Sequence, residues 1–505
     1  MKKLFIAAAL LGTTISYAQS TKKLEKVAKS ITEKDLKEKL NIIAGPGMEG
    51  RETATPAQKK AASYIENYFK QLGLQPGNGD SYQMQFPVYQ DSVTTSSFSI
   101  NGQPFELYKD YALSPLAMST GNWTSDSVVF VSFGMVDSLH NDYKNIDVKD
   151  KWVIIAEGKM EDADKPAGAV QYSFRNPASI YAKMMQAKGK GAKGLIVIAK
   201  DFPKKALPVK GNMYLKPSQA KNIPMLYVSY NAAATLLGKT LPSFADIKNT
   251  TAGSYSTSLA FASTVSTNNM QSSNVLGVLP GTDKKDEYVF ITAHYDHLGK
   301  RDTVIYYGAD DDGSGTTSVL ELAEAFAKAK QKGYSPRRSI VFMTVSGEEK
   351  GLWGSEFYAA NPIYPLNKTT VDLNIDMVGR IDPERTYGDS MNYVYTIGED
   401  KLSSDLLKIS DSINNKFVKL ELDRKFNDPK DPNRFYYRSD HYNFAKNGIP
   451  VIFYFNGTHA DYHQPTDTVD KINFGLMTKR VKLVFYTAWD MANREEMLKR
   501  DIPLK

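Results

Sequence analysis

The chain has 505 residues, 42% of them apolar and 24% charged, with a formal net charge of +7. That is too long for one compact core and has the balance of a soluble globular protein, so two or three domains are expected. The charge excess is mild and no Lys/Arg run resembles a nucleic-acid arm, so no such partner is assigned. There is no cysteine, which excludes disulfides and cysteine lipidation and leaves a metal site to be built from His, Asp and Glu.

Residues 1–18 read as a secretory leader. Lys2 and Lys3 precede the apolar run 4–11, and Ser16-Tyr17-Ala18 fits a small-x-small cleavage site, with the cut after Ala18. The run is too short to span a bilayer. A periplasmic or secreted protein without stable membrane insertion is therefore expected.

Residues 19–105 are expected to be the N-terminal part of the main domain. Thr55 caps a helix that begins at Pro56, lines one face with Ala61, Ala62, Ile65, Phe69 and Leu72, and ends at Gly73. Residues 82–88 read as a short strand. Residues 106–255 change in texture, with buried strands predicted at 128–133, 152–156, 195–199 and 225–228 and a helix at 180–186. They gather no His or acids at strand ends and are expected to form an inserted α+β module without chemistry of its own. The Ser/Thr-rich stretch 249–273 reads as its exit linker. The Gly-rich stretch 189–194 lacks the Gly-Lys-Ser/Thr ending of a phosphate loop.

Residues 256–505 are expected to be the catalytic domain. Strands are predicted at 275–278, 288–293, 339–345, 371–376, 393–397 and 450–455. A helix over 314–330 turns Val319, Leu322, Ala323 and Phe326 inward. This alternation predicts an α/β fold, a three-layer, mostly parallel twisted sheet with helices on both faces.

In such a sheet, ligands bind beyond the carboxyl ends of the strands. His294-Tyr295-Asp296-His297 leaves one strand, and Gly308-Ala309-Asp310-Asp311-Asp312-Gly313-Ser314-Gly315 follows before a helix. Gly347-Glu348-Glu349 leaves another strand, Asp376 ends a third in Asn374-Ile375-Asp376-Met377, and Tyr462-His463 lies just past the last. Five of the six histidines (His294, His297, His441, His459 and His463) fall near that rim, and only His140 is elsewhere. Imidazole and carboxylate together suit zinc and its neighbours. Asp440 reads as a helix cap, His441 and His459 match no metal position, and Arg434 and Arg438 read as surface charges.

Taken together, H-x-D, D-D-G-S-G, G-E-E, N-I-D-M and Y-H-x-P-x-D resemble the co-catalytic di-zinc aminopeptidases, in the zinc exopeptidase clan that includes glutamate carboxypeptidase and the transferrin receptor. The resemblance implies two zinc ions, one held by His294 and Asp376, the other by Glu349 and His463, with Asp311 bridging. It implies Glu348 as general base, Asp296 orienting His294, Tyr462 beside the oxyanion, and a cis Asp311–Asp312 peptide bond. Tyr143, Ile146 and Asp147 before Lys151-Trp152-Val153 resemble a protease-associated domain. The function implied is removal of N-terminal residues from peptide substrates. A carboxypeptidase or dipeptidase of the same clan is the alternative, with Arg434 and Arg438 the only local candidates for a terminal carboxylate. A catalytically dead binding protein and a one-zinc glutaminyl cyclase fit less well, because Glu348 and all five ligand positions are intact.

Overall fold

The computed structural model describes residues 22–170, 172–173, 176–202, 210–215 and 222–504; the expected leader lies outside them. The chain divides into two compact units, Met1–Phe86 with Gln271–Lys505, and Pro87–Met270. No helix among the described residues is long and apolar enough to cross a membrane.

The first unit is organised on strands β1 (Gly253–Leu279, through its C-terminal part), β2 (Lys284–His294), β3 (Arg338–Val345), β4 (Thr369–Ile375), β5 (Tyr393–Ile397), β6 (Glu421–Asp423) and β7 (Val451–Phe455). Their spatial order is β6-β5-β7-β4-β2-β3-β1. β2 runs parallel to β3 and β4, β4 to β7, and β5 to β6, while β1 and β5 are antiparallel to β3 and β7. β3, β4 and β7 are buried along their whole length because both sheet faces are covered, and β4 buries Asp372 and Asn374 among its apolar residues. Alternate side chains enter different cores. Val289, Ile291 and Ala293 of β2 join one core, which also takes residues of helices α1 (Glu33–Ile43), α2 (Pro56–Gln71), α3 (Gly315–Gln331) and α6 (Phe474–Asn493). Phe290 joins the opposite core with Tyr358 of α4 (Trp353–Ala360) and Phe444 of α5 (His441–Ala445). Val319, Leu322, Ala323 and Phe326 of α3 are buried in the first of these cores, as their spacing predicts. The Thr55 hydroxyl accepts from Gln58 N at the start of α2, and Gly73, with φ of 72°, follows its end.

The stretch 249–273 is not a linker. Most of it belongs to β1, a strand of 27 residues. Thr257, Leu259, Phe261 and Ser263 are buried while Ser254, Ser256, Ser258 and Ala260 are exposed. The period of two was there, but Ser and Thr on both faces hid its hydrophobic contrast. The strand read at 82–88 likewise extends over Gln83–Ile100. Both long strands contribute to the second unit, so it is wider than the module expected over 106–255.

In the second unit, Gly121–Phe130, Trp152–Ala156, Gly194–Ile198 and Met225–Val228 pair in parallel in that order, flanked by antiparallel Tyr111–Leu113 and residues 253–263. Phe130, Trp152, Ile154, Ile196, Leu226 and Phe261 share its core. A fully buried lysine lies on the helix Ile180–Gly189 of this unit. Lys183 donates to the carbonyls of Ala156 and Gly158, and burial pushes its amine down from 10.5 to about 7. Between those two pH values the unfolded chain binds the proton and the folded one does not, so stability rises with pH across this window. The full rise is on the order of 4 kcal/mol. Denaturation followed by the fluorescence of Trp123 and Trp152 is expected to show a higher midpoint at pH 9 than at pH 6, and Lys183→Met should remove most of that difference. An unaltered pH dependence in the variant would exclude Lys183 as its source.

Candidate metal centre

β3, β2, β4 and β7 are consecutive in space and parallel, so their carboxyl ends open on one rim. His294 is the last residue of β2, and Asp376 is the first after β4. Glu348 and Glu349 occupy a short turn, Glu348–Lys350, just beyond β3. Asp311 lies in the turn Ala309–Ser314 that opens α3. His463 follows β7 and, like Met377 beside Asp376, has a left-handed backbone, with φ of 58° and 59° respectively. A non-glycine residue in that region costs about 1–3 kcal/mol and persists only where its surroundings enforce it.

The side chains converge. His294 Nε2 lies 3.3 Å from Asp311 Oδ1, 3.6 Å from Asp376 Oδ1 and 3.8 Å from Glu348 Oε2. His463 Nε2 lies 3.0 Å from Asp311 Oδ2 and 3.1 Å from Glu349 Oε2. Asp311 thus offers one oxygen to each histidine. Two donor groups, His294 with Asp311 and Asp376, and His297 with Asp311 and Glu349, each have their atoms within 4.8 Å of one another. His297 was not among the expected ligands. His294 Nε2, Asp311 Oδ2 and Glu349 Oε1 are buried without a hydrogen-bond partner among the described residues. Orphaned polar atoms in a buried imidazole–carboxylate set are what a divalent metal satisfies, and the donor chemistry fits zinc.

The surrounding groups hold these donors in place. Thr53 Oγ1 donates to Asp296 Oδ2 at 2.7 Å, and Glu348 N donates to Asp296 Oδ1 at 3.3 Å. Asp296 does meet the His294 ring, but its main-chain oxygen is nearer Nδ1, at 3.1 Å, than its carboxylate, at 3.7 Å. Ser439 Oγ donates to Asp376 Oδ2 at 2.6 Å. The Asp311–Asp312 peptide bond is cis. Asp312 accepts from the main-chain N–H groups of His294, Gly315 and Met377, and Asp467 accepts from those of Asp310 and Asp311. Behind them the buried Arg51 guanidinium donates to the carbonyls of Ile43, Tyr307 and Gly308. Thr53 precedes Asp296 by 243 residues, and Arg51 precedes Tyr307 and Gly308 by 256 and 257, so no local pattern marked them. Asp467 was visible as the last letter of Y-H-x-P-x-D, but nothing in the motif gave it a task.

The charges divide sharply. Burial alone would lower the His294 imidazole, yet Glu348 and Asp376 hold it well above its ordinary value. His463 is raised to about 10 in the same way, by Asp311 and Glu349 against burial. Glu349 is held down to about 2 by His297 and His463, although burial and Asp311 oppose this. Glu348 goes the other way. Burial pushes it well up against the pull of His294, and Glu349, Asp376 and Asp440 add to the rise. Adjacent carboxyls whose environments drive them apart are suited to different tasks.

Several neighbours differ from expectation. Asp440 precedes α5 but makes no side-chain cap bond. It is fully buried, accepts from Ser355 Oγ, and burial raises it to about 7. Helix capping therefore does not explain it. Arg438 is exposed but not idle: its Nη2 donates to the Tyr462 hydroxyl at 3.3 Å. Arg434 instead stacks on Tyr437. The Tyr462 ring stacks on His463 with centroids 3.9 Å apart. His441 is buried against Phe453. His459 Nε2 lies 3.1 Å from Asp310 Oδ2, behind the donor set.

A mostly parallel α/β sheet carrying paired imidazole–carboxylate groups on its carboxyl rim defines the class, an α/β fold with a candidate metal centre. Residues 274–488 match the family model described as Peptidase family M28. Among curated proteins, the chain is 29% identical over 229 residues to a probable leucine aminopeptidase of Trichophyton verrucosum, covering 43% of this chain and 57% of that one. It is 26% identical over 260 residues to a probable zinc metalloprotease of Pyrenophora teres f. teres, covering 45% and 52%. The chain thus spans a little over half the length of these relatives. The aminopeptidase from Aneurinibacillus sp. strain AM-1 has a similar solved structure, with TM-score 0.57, 20% identity, and 95% of this chain and 99% of that one covered. At that identity the likeness shows the fold.

Proposed function

We propose that this chain is a di-zinc exopeptidase that removes N-terminal residues from peptides. The observation that carries the reading is Asp311, whose two oxygens face His294 on one side and His463 on the other. His294 and Asp376 would hold one ion, Glu349 and His463 the other, with Asp311 shared. Zinc bound in such a pair polarises the scissile carbonyl and lowers the pKa of water. Glu348, whose Oε2 is 3.8 Å from the His294 ring nitrogen, would take the attacking water's proton and pass it to the leaving amine. The Tyr462 hydroxyl, which accepts from Arg438, would donate to a developing oxyanion. Met377, Phe435, Phe453 and Phe455 line a pocket that also includes Asp311, Glu348 and Asp376. These walls favour an apolar N-terminal side chain. The printed names of the relatives, leucine aminopeptidase and zinc metalloprotease, support this polarity and this metal. Secretion is part of the proposal and rests on the leader read in residues 1–18.

Protein purified without chelator is expected to hold close to two zinc ions and to release p-nitroaniline from free amino-acid anilides but not from their N-acetyl derivatives. Full activity with a single stable ion would remove the bridging role of Asp311. Trimming of peptides from the carboxyl end would replace the aminopeptidase with the carboxypeptidase alternative.

A further inference from the structure

His297 remains without a role in this scheme, and its surroundings are unusual for a packing residue. The side chain is fully buried. Its ring presses on Gly308, where a Cβ would come within 2.5 Å of the imidazole Cγ and Cδ2. Its main chain is fixed as well, since its N–H donates to Arg51 O at 3.4 Å and it forms an isolated bridge with Glu52. The imidazole therefore has little room to turn elsewhere. Neither ring nitrogen has a hydrogen-bond partner among the described residues, an expensive state for a buried polar group.

Nδ1 is nevertheless 2.7 Å from Glu349 Oε1 and 4.0 Å from Asp311 Oδ2. At 2.7 Å the missing hydrogen bond is a matter of direction, because the N–H axis is not aligned with the carboxylate oxygen. Glu349 Oε1 and Asp311 Oδ2 are themselves buried without partners. His463 approaches the same two carboxylates with its Nε2, its ring centroid 5.9 Å from that of His297. Two imidazoles and two carboxylates thus gather their atoms at 2.7–4.0 Å, and His297 Nδ1, Glu349 Oε1 and Asp311 Oδ2 lack a hydrogen-bond partner among the described residues, as donors around a shared cation would.

Resting on the two-metal reading above, we infer that His297 is a protein ligand, through Nδ1, of the ion held by Glu349 and His463. That position would have two histidines, whereas the one formed by His294 and Asp376 has one. A neutral extra imidazole donor would make the second position the tighter of the two, so it would be the last to lose its ion to a chelator.

The test uses the full-length protein with ¹⁵N-labelled histidine rings. There are only six histidines, and single substitutions of His294 and His463 assign their resonances. Zinc loading is expected to move three imidazoles to metal-bound shifts: His294, His297 and His463. Movement of only His294 and His463, with two ions bound, would overturn the inference and leave the two-metal reading standing. Failure of the protein to bind zinc at all would overturn both. Independently, His297→Ala should weaken the second ion by more than about 100-fold, beyond the 10–100-fold typical of a residue that merely orients a ligand. A smaller loss with unchanged shifts at His463 would reassign His297 to the support of Glu349. If the alanine variant does not fold, the resonance count on the unmodified protein still decides.

Discussion

Glu348→Gln is expected to lower kcat by about 10²–10⁴-fold, the usual loss when a positioned general base is removed, while both zinc ions stay bound. The amide keeps the size of the carboxyl and can still meet the groups around it, but it cannot accept a proton from water. Glu349→Gln is expected to behave differently. It replaces an anionic donor that His297 and His463 hold ionised, with its carboxyl at about 2, so the second ion should dissociate and activity should partly return at high zinc. Zinc content and zinc rescue, measured for both variants at one pH, separate the two roles even if both activities fall. Loss of an ion from Glu348→Gln, or two retained ions with an equal rate loss in Glu349→Gln, would mean that the pair is assigned the wrong way round.

Arg51→Met should cost about 3–5 kcal/mol of stability, the range expected when one member of a buried charge group is removed. Burial lowers the Arg51 guanidinium, and Asp312, Asp311, Asp296 and Asp467 oppose that shift, so it is a cation set among the buried acids under the rim, beside the raised His294 and His463 imidazoles. Methionine would leave those carboxylates facing one another and would also strip donors from the carbonyls of Ile43, Tyr307 and Gly308. Urea unfolding of chelator-treated protein at pH 7 measures the loss. Added zinc should raise the variant's midpoint more than the wild type's, because a divalent cation supplies part of the missing charge. A loss below about 1 kcal/mol, within the range of exposed ion pairs, would show that the acids do not depend on Arg51.

The main sheet and its chemical edge were legible because both rest on local chemistry. A strand buried on both faces is rich in apolar residues, so 339–345 and 393–397 stood out with nearly their final bounds, and 288–293 as the inner part of Lys284–His294. Candidate site residues at strand ends follow from the parallel topology, so His294, Asp311, Glu348, Glu349, Asp376 and His463 were singled out by position as much as by type, and the structure brings them together. The stretches that misled were those where polarity and geometry part company. Ser and Thr can alternate across a half-exposed strand as well as fill a linker, and it is pairing with the strand at Gly121–Phe130 that holds residues 253–263 extended. Asp440 looks like a cap from its neighbours, yet the direction of its side chain is set by the packing of α4 against α5, which brings Ser355 to it.

The sequence by itself determined which residue types stand at the ends of which strands, because that depends on hydrophobic periodicity and the short turns that follow. The tertiary structure alone decided which distant groups complete the centre. Arg51 and Thr53 reach it from a segment that precedes the second unit in the chain, and His297 is turned toward Glu349 rather than solvent. A buried charge needs its counter-charge close in space, and that demand sets no limit on separation along the chain.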